Sequence, residues 1–162
     1  MKWFLLFLFC LIGLPLHAQL DTAYRNRVED AIARIEKSPA RTQHIIKQKG
    51  VTYRYWLYKK RLFKIEKQWS EKIPGNHILE NKYQYYLSNG ALTRAYESAL
   101  LLVNGNRDDV HVWSATSYFK ADRLFYLRSL GHGKTEDEQY DIEKETLHHF
   151  RELKAFLLTQ LK

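Results

Sequence analysis

Residues 83–95 read YQYYLSNGALTRA, and this stretch decides the fold. Apolar residues alternate on both sides of Asn89-Gly90, a residue pair typical of the two-residue turn of a β-hairpin. Related stretches occur at residues 53–65, YRYWLYKKRLFKI, and at residues 115–127, ATSYFKADRLFYL. The chain therefore contains three hairpin repeats, whose turns are predicted at Lys59-Lys60, Asn89-Gly90 and Ala121-Asp122.

The repeats also predict which side chains share a face of the sheet. Side chains of a strand alternate between its two faces, and residues placed symmetrically about a hairpin turn lie opposite each other. One face is therefore expected to carry a buried apolar row, formed by Leu57, Leu62, Leu87, Leu92, Phe119 and Leu124. The other face is expected to carry an aromatic row, in which Trp56 pairs with Phe63, Tyr86 with Thr93, and Tyr118 with Phe125.

Helical patterns flank the three repeats. Apolar residues recur at helical spacing between Thr22 and Lys37, and Pro39 ends this helix. A long C-terminal helix is predicted from Glu136 to about Leu161, with Thr135 and Glu138 as a capping box. A further strand is predicted at residues 43–48. The predicted fold is α+β: an antiparallel meander sheet of six or seven strands built from three hairpin repeats, with an N-terminal helix and a long C-terminal helix.

The N-terminus predicts export. Lys2 precedes an apolar run that ends near Leu14, and Ala18 offers a small residue at a cleavage site, which is the layout of a secretory signal peptide. The apolar run is too short to span a bilayer as a helix. We therefore expect residues 1–18 to be a signal peptide and residues 19–162 a single mature domain. The expected location is the bacterial periplasm or the exterior, with no transmembrane segment after cleavage.

Composition narrows the expected partners. Cys10 is the only cysteine and lies in the predicted signal peptide, so the mature chain would have no disulfide, catalytic thiolate or cysteine metal ligand. The formal net charge is +8, and lysines and arginines are interleaved with acids along the chain. A basic exported protein meets anionic surfaces, so we expect an envelope protein, a glycan or a lipid surface as partner rather than nucleic acid. The oligomeric state is left open.

The segment Tyr85-Tyr86-Leu87-Ser88-Asn89-Gly90-Ala91-Leu92 resembles the tyrosine-rich hairpin repeats of MORN-like proteins, including the antitoxin-type repeat proteins of bacteria. The first and third repeats depart from that pattern, because Lys60 and Asp122 stand where the second repeat has Gly90. The resemblance implies a hairpin architecture and a binding role. It carries no catalytic residues to this chain.

Two polar motifs contain residue types that can carry chemistry. Gly131-His132-Gly133-Lys134-Thr135 has half of a phosphate-binding loop, but Arg128 stands where the first glycine is needed, so it is interpreted as a glycine-rich helix entry. Asp108, Asp109 and His111 form a polar cluster at a loop–strand junction, interpreted as a solvated turn. No catalytic residue, metal ligand or cofactor is assigned.

The sequence favours an exported, non-catalytic envelope protein that binds a macromolecular partner through the aromatic face. Flat, amphipathic rings offer contact area and hydrogen-bonding edges, and at least part of the aromatic row is expected to be exposed. The predicted binding residues are Trp56, Tyr86, Tyr118, Arg54 and Gln84. The alternative is a carrier of a lipid or other small hydrophobic ligand in a cavity between sheet and helix. A small hydrolase using Asp108, Asp109 and His111 is the third hypothesis.

Overall fold

The structure, a computed structural model, describes residues 22–160 of the chain. Helix α1 spans residues 22–36 and belongs to a compact unit that ends at Lys37. A second unit starts at Ser38 and contains the sheet and the C-terminal helix. The predicted signal peptide and its cleavage site lie outside the described residues.

Seven strands form one antiparallel sheet, and their order in the sheet is their order in the chain. This meander confirms the predicted α+β architecture, because short connections join each strand to its neighbour. The strands are β1 (Arg41–Gln48), β2 (Val51–Tyr58), β3 (Arg61–Ile73), β4 (His77–Ser88), β5 (Ala91–Leu102), β6 (Val110–Lys120) and β7 (Arg123–Leu130).

The three predicted hairpin turns are confirmed. In each of them two consecutive residues have positive φ, which defines a turn whose twist matches that of the flanking strands. The angles are 49° and 64° at Lys59-Lys60, 50° and 81° at Asn89-Gly90, and 52° and 56° at Ala121-Asp122. The first and third turns therefore adopt this conformation without glycine.

The predicted pairing of the leucine row is also confirmed, and the row is buried at Leu87, Leu92 and Phe119 but only partly buried at Leu57, Leu62 and Leu124. Leu57 lies opposite Leu62, Leu87 opposite Leu92, and Phe119 opposite Leu124. Helix α2 (Ile142–Gln160) packs on this side of the sheet, which we call the inner face. Its apolar stripe joins the same hydrophobic core as the leucine row, through Leu147, Phe150, Leu153 and Leu157.

Each of the three repeat hairpins contains a β-bulge that the repeated sequence pattern did not reveal. The register shifts by one residue between Trp56 and Leu57, between Tyr86 and Leu87, and between Tyr118 and Phe119. The predicted aromatic pairs are therefore wrong, because an extra residue on the second strand moves the partner along by one. Trp56 lies opposite Lys64, Tyr86 opposite Arg94, and Tyr118 opposite Tyr126.

The start of the C-terminal helix differs from the prediction. The capping box at Thr135 and Glu138 is not used, because residues 134–136 form a single 3-10 turn and α2 begins at Ile142. Asp141 caps the helix instead: its Oδ1 accepts a hydrogen bond of 3.0 Å from the backbone nitrogen of Lys144. A carboxylate at this position also suits the positive end of the helix.

Candidate functional site

The predicted aromatic row lies on the face opposite α2, which we call the opposite face, and it is buried. Trp56 and Tyr86 are each 6% exposed, and Tyr118 is 9% exposed. The expectation that part of this row is an open platform of rings is therefore wrong. The three rings contribute to the interior of the fold rather than to a free surface.

Two cations are inserted between these rings by the bulges. The Nζ of Lys64 lies 4.6 Å from the ring centroid of Trp56 and 4.9 Å from that of Tyr86. The guanidinium carbon of Arg94 lies 5.2 Å from the Tyr86 centroid. Rings and cations thus alternate from β2 to β5, and each contact is of the cation–π type, which is strengthened by desolvation. This alternation accounts for a lysine that is buried in a sheet.

Arg54 and Gln84, the two polar residues of the predicted site, are brought together by Glu66. The Nη1 of Arg54 donates to Oε1 of Glu66 at 2.6 Å, and Nε2 of Gln84 donates to its Oε2 at 2.6 Å. Arg54 also donates to Gln68. The alternation along β3 places Glu66 on the same face as Arg54 and Gln84, although no motif in the sequence marks it as a functional residue.

The protonation of Glu66 follows from these contacts. Burial by itself would raise the pKa of the carboxyl group. Hydrogen bonds from Gln84 and Arg54, together with the positive charges of Lys82 and Arg54, lower it by more, so the pKa lies below its ordinary value. Glu66 is therefore an anion that joins β2, β3 and β4 at neutral pH.

Asp108, Asp109 and His111 do not form a site in the structure. All three residues are exposed, and within residues 22–160 no group of three or more histidine, cysteine, aspartate or glutamate side chains could hold a metal ion. The backbone carbonyl oxygen of Asp109 accepts a hydrogen bond from the backbone nitrogen of Val103, and the backbone nitrogen of Asp108 donates to Oδ1 of Asn106. These contacts belong to the turn that joins β5 and β6.

A cleft opens on the inner face between the sheet and α2. Its volume is about 210 Å³, and its lining combines four aromatic or aliphatic side chains with a lysine, a histidine and a glutamate. Strands β2, β3 and β4 supply one wall and α2 supplies the other. The lining residues are Tyr53, Lys67, Tyr83, His149, Glu152, Leu153 and Phe156.

Paired rings fix the walls of this cleft. Tyr53 packs against Phe156 with centroids 4.6 Å apart, and Tyr83 stacks on the ring of His149 at 5.0 Å. The edge of Trp69 supports Tyr83 from β3, at 4.9 Å. Because each ring is held by another ring, the cleft is preformed.

A buried carboxylate lies behind the His149 side of the cleft. Glu97 on β5 is 1% exposed, and its Oε1 accepts a hydrogen bond of 2.7 Å from the hydroxyl of Tyr85. The Nδ1 of His149 lies 3.7 Å from the same oxygen. Burial raises the pKa of Tyr85 well above its ordinary value, and the charge of Glu97 and the hydrogen bond to it raise it further. Tyr85 is therefore a permanent donor to Glu97 at physiological pH.

A second, wider depression lies on the opposite face. Its volume is about 430 Å³, and polar side chains such as Gln68, Ser70 and Lys82 line most of it. Leu100 borders it and pairs with Val112 on β6, which is 51% exposed. Leu130, at the end of β7, is 56% exposed on the same face. A polar groove therefore continues into an exposed apolar strip at the β6–β7 edge.

The sequence offered a cavity between sheet and helix only as the alternative hypothesis and identified none of its lining residues, and it did not predict Glu97. The cleft depends on the distance between α2 and the sheet, which no local pattern encodes. Glu97 stands between Ala95 and Ala99 on the inner-face side of β5, so the alternation of the strand could have shown an acid directed into the core. That signal appears only when the bulge between Tyr86 and Leu87 is counted.

No helix within residues 22–160 is long and apolar enough to cross a membrane. The resemblance to MORN-like hairpin repeats stays a prediction, because nothing in the comparisons tests it. The chain matches no protein-family model, no curated protein and no solved structure.

Proposed function

We propose that this chain is an exported, non-catalytic protein that binds a small, mostly apolar ligand in the cleft between the sheet and α2. The observation that carries the proposal is the preformed opening of about 210 Å³ between helix and sheet, walled by rings. Small-ligand sites are generally concave, mostly apolar and supplied with a few polar groups that orient the ligand. This function corresponds to the alternative that the sequence offered, a carrier of a small hydrophobic ligand in a cavity between sheet and helix.

The dimensions of the cleft indicate the size of the ligand. A cavity of about 150 Å³ lined by aliphatic and aromatic side chains accommodates benzene in an engineered protein. The cleft is somewhat larger, so a single substituted ring or a short acyl chain fits it. Tyr53, Tyr83 and Phe156 offer flat contact area, and Lys67 offers a positive charge at the rim. A ring or short chain matches this arrangement if its carboxylate lies toward Lys67 and away from Glu152, which also lines the cleft.

Export is part of the same proposal. It is supported by the lysine start, the short apolar run and the small residue at the predicted cleavage site. A ligand-binding protein in the periplasm or outside the cell would have no need of a thiol or a bound nucleotide. The predicted mature chain has no cysteine, so its fold would be held there by packing without disulfides.

The test is a calorimetric titration of the mature chain with phenylacetate and with short fatty acids, which have the size that the cleft accommodates. Phe156→Ser removes one wall of the cleft and should weaken phenylacetate binding at least about tenfold, which corresponds to about 1.4 kcal/mol. Leu158→Ser is the matched control, because Leu158 on the same helix is exposed and is not part of the lining. It should bind as the wild type does.

A charge variant separates the polar contribution from the apolar one. Lys67→Gln should weaken the binding of phenylacetate more than that of toluene, because only the first ligand has a carboxylate. Equal binding by the Phe156→Ser and Leu158→Ser proteins, both shown to be folded by circular dichroism, would rule out the cleft as the binding site.

A second candidate function is supported by the exposed apolar strip beside the groove of the opposite face. Val110, Val112 and Leu130 are exposed there, and exposed apolar groups next to a polar rim are typical of contact surfaces. Under this proposal the partner is an envelope protein, a glycan or a lipid surface. The buried aromatic row on the same face then has a structural role and does not contact the partner. The test compares the capture of envelope components by the Val112→Asp and Leu158→Asp proteins. Loss of capture by the Val112→Asp protein alone supports this surface as the contact site. Equal capture by the two proteins excludes it.

A further inference from the structure

The segment between β7 and α2 lies tightly against the inner face because it contains two glycines. Gly131 has φ of +77°, and a Cβ there would lie 1.8 Å from the carbonyl oxygen of Val112. At Gly133 a Cβ would lie 2.7 Å from the ring of Trp113. Both separations are far below van der Waals contact, so a larger residue would push the segment away from β6. The glycine-rich motif thus brings the following residues close to Trp113.

Two hydroxyl groups then fix the indole ring of Trp113. Its Nε1 donates to Oγ1 of Thr135 at 3.1 Å, and that oxygen lies 2.6 Å from Oγ of Ser129. Thr135, in the segment after β7, contacts the ring directly, and Ser129 on β7 contacts the hydroxyl of Thr135. Trp113 therefore presents a fixed aromatic surface to the residue between Gly133 and Thr135, which is Lys134.

The ammonium group of Lys134 lies within a cage of three aromatic rings. Its Nζ is 5.5 Å from the centroid of Trp113, 5.7 Å from that of Tyr83 and 5.8 Å from that of Tyr140. It also donates to the hydroxyl of Tyr83 at 3.3 Å. Three rings from three separate segments around one cation form the arrangement by which proteins bind quaternary and methylated ammonium groups.

A buried negative charge lies beside this cage. Burial raises the pKa of Tyr83 and Tyr140, and the charge that raises both further by the largest amount is that of Glu97. Among residues 22–160, Oε2 of Glu97 and the hydroxyl of Tyr140 are buried without a hydrogen-bond partner. The carboxylate therefore makes the electrostatic potential at the cage more negative, which favours a cation over a neutral group of the same shape.

We infer that the cage formed by Tyr83, Trp113 and Tyr140 is a binding site for an ammonium headgroup, and that Lys134 occupies it as an internal ligand. The primary ammonium of lysine is strongly hydrated, whereas a quaternary ammonium has a weaker hydration shell and loses less on entering an aromatic cage. A ligand of the choline type therefore competes with Lys134. The site is separate from the cleft proposed above, although Tyr83 borders both.

Calorimetric titration of the mature chain with choline tests the inference. Lys134→Ala should bind choline at least about tenfold more tightly than the wild type, because the internal competitor is removed. Lys144→Ala, which deletes an exposed lysine of α2, should bind choline as the wild type does. Dimethylbutanol, the uncharged carbon isostere of choline, should bind the Lys134→Ala protein at least about tenfold more weakly than choline does.

If the Lys134→Ala protein is less stable than the wild type, its melting temperature with and without choline provides a second measurement of binding. Choline should raise the melting temperature of Lys134→Ala by mass action, and this rise should be smaller after Glu97→Gln is added. A folded Lys134→Ala protein that does not bind choline, or binds the neutral isostere equally well, would overturn the inference and leave Lys134 as a structural latch. Neither result depends on phenylacetate binding in the cleft.

Discussion

Tyr85 on β4 donates a hydrogen bond of 2.7 Å to Glu97 on β5, and both side chains are fully enclosed between the sheet and α2. A buried carboxylate is destabilising unless donors compensate for its lost hydration. Tyr85 is such a donor, and its raised pKa keeps its proton in place. This pair links the interior of the fold to the wall of the cleft, because His149 lies between Glu97 and the opening.

Removal of the Tyr85 hydroxyl should destabilise the protein. Tyr85→Phe leaves Glu97 with one donor fewer, and hydrogen bonds to charged groups contribute about 1.5–3 kcal/mol. Urea denaturation should therefore show a loss of about 2 kcal/mol in the free energy of unfolding. In the double variant with Glu97→Gln, the two losses should not add, since both act on one contact. Additive losses would show that the two residues contribute independently.

Tyr86 should matter for stability rather than for an exposed contact. Tyr86→Ala removes a buried ring that packs against Phe63 and lies beside Lys64 and Arg94, and truncation of buried aromatic residues costs about 3–5 kcal/mol. We expect a loss of at least about 3 kcal/mol by urea denaturation, and a much smaller loss for Tyr86→Phe, which keeps the ring. An unchanged melting temperature for Tyr86→Ala would instead support the hypothesis that the aromatic row is exposed.

The buried tyrosines predict a loss of stability at alkaline pH. The pKa of Tyr83, Tyr85 and Tyr140 is raised in the folded state, chiefly by burial and then by the charge of Glu97. In the unfolded chain these groups ionise near pH 10. Their contribution to stability is therefore complete below that pH and is lost as pH rises above it.

Urea denaturation between neutral and strongly alkaline pH, combined with the tyrosinate absorbance, measures this effect. The free energy of unfolding should fall more steeply with pH in the wild type than in Tyr85→Phe, because the variant lacks one of the linked groups. Parallel pH profiles for the two proteins would mean that Tyr85 ionises alike in the folded and unfolded states.

The corrected helix start gives a prediction of its own. Asp141→Ala removes the side chain that caps α2 and should cost about 1 kcal/mol of stability. Glu138→Ala removes the residue that the capping-box pattern had selected, and should change stability by less than about 0.5 kcal/mol, as at other exposed positions. The reverse order in thermal or urea denaturation would place the helix start at Thr135.

The sequence predicted the features that depend on local alternation. The pairs around the turns, such as Leu87 with Leu92, follow from the position of Asn89-Gly90, and the structure confirms them. The bulges were missed because an extra residue such as Thr93 leaves the apolar spacing around the turn intact. The exposure of the aromatic row was predicted wrongly for a related reason, since alternation separates two faces without saying which of them is covered.

The helix start and the cleft depend on contacts between distant residues. Thr135 has the sequence of a capping residue, but its hydroxyl bonds to Trp113 and Ser129, which are remote from α2. The cleft is lined by Phe156 and Leu153 of α2 and by Tyr53 and Tyr83 of the sheet, and no single segment contains both walls. Such features follow from packing, which the sequence pattern does not specify.

The most direct test of the account is an amide chemical-shift titration of the isotope-labelled mature chain with phenylacetate. The account predicts saturable shifts that cluster on β2, β3, β4 and α2, with the largest changes near Tyr53, Tyr83, His149 and Phe156. The Phe156→Ser protein should show much smaller shifts at the same concentrations. Shifts that cluster instead at Val112 and Leu130, or that rise without saturation across the whole protein, would contradict a ligand site between the sheet and α2.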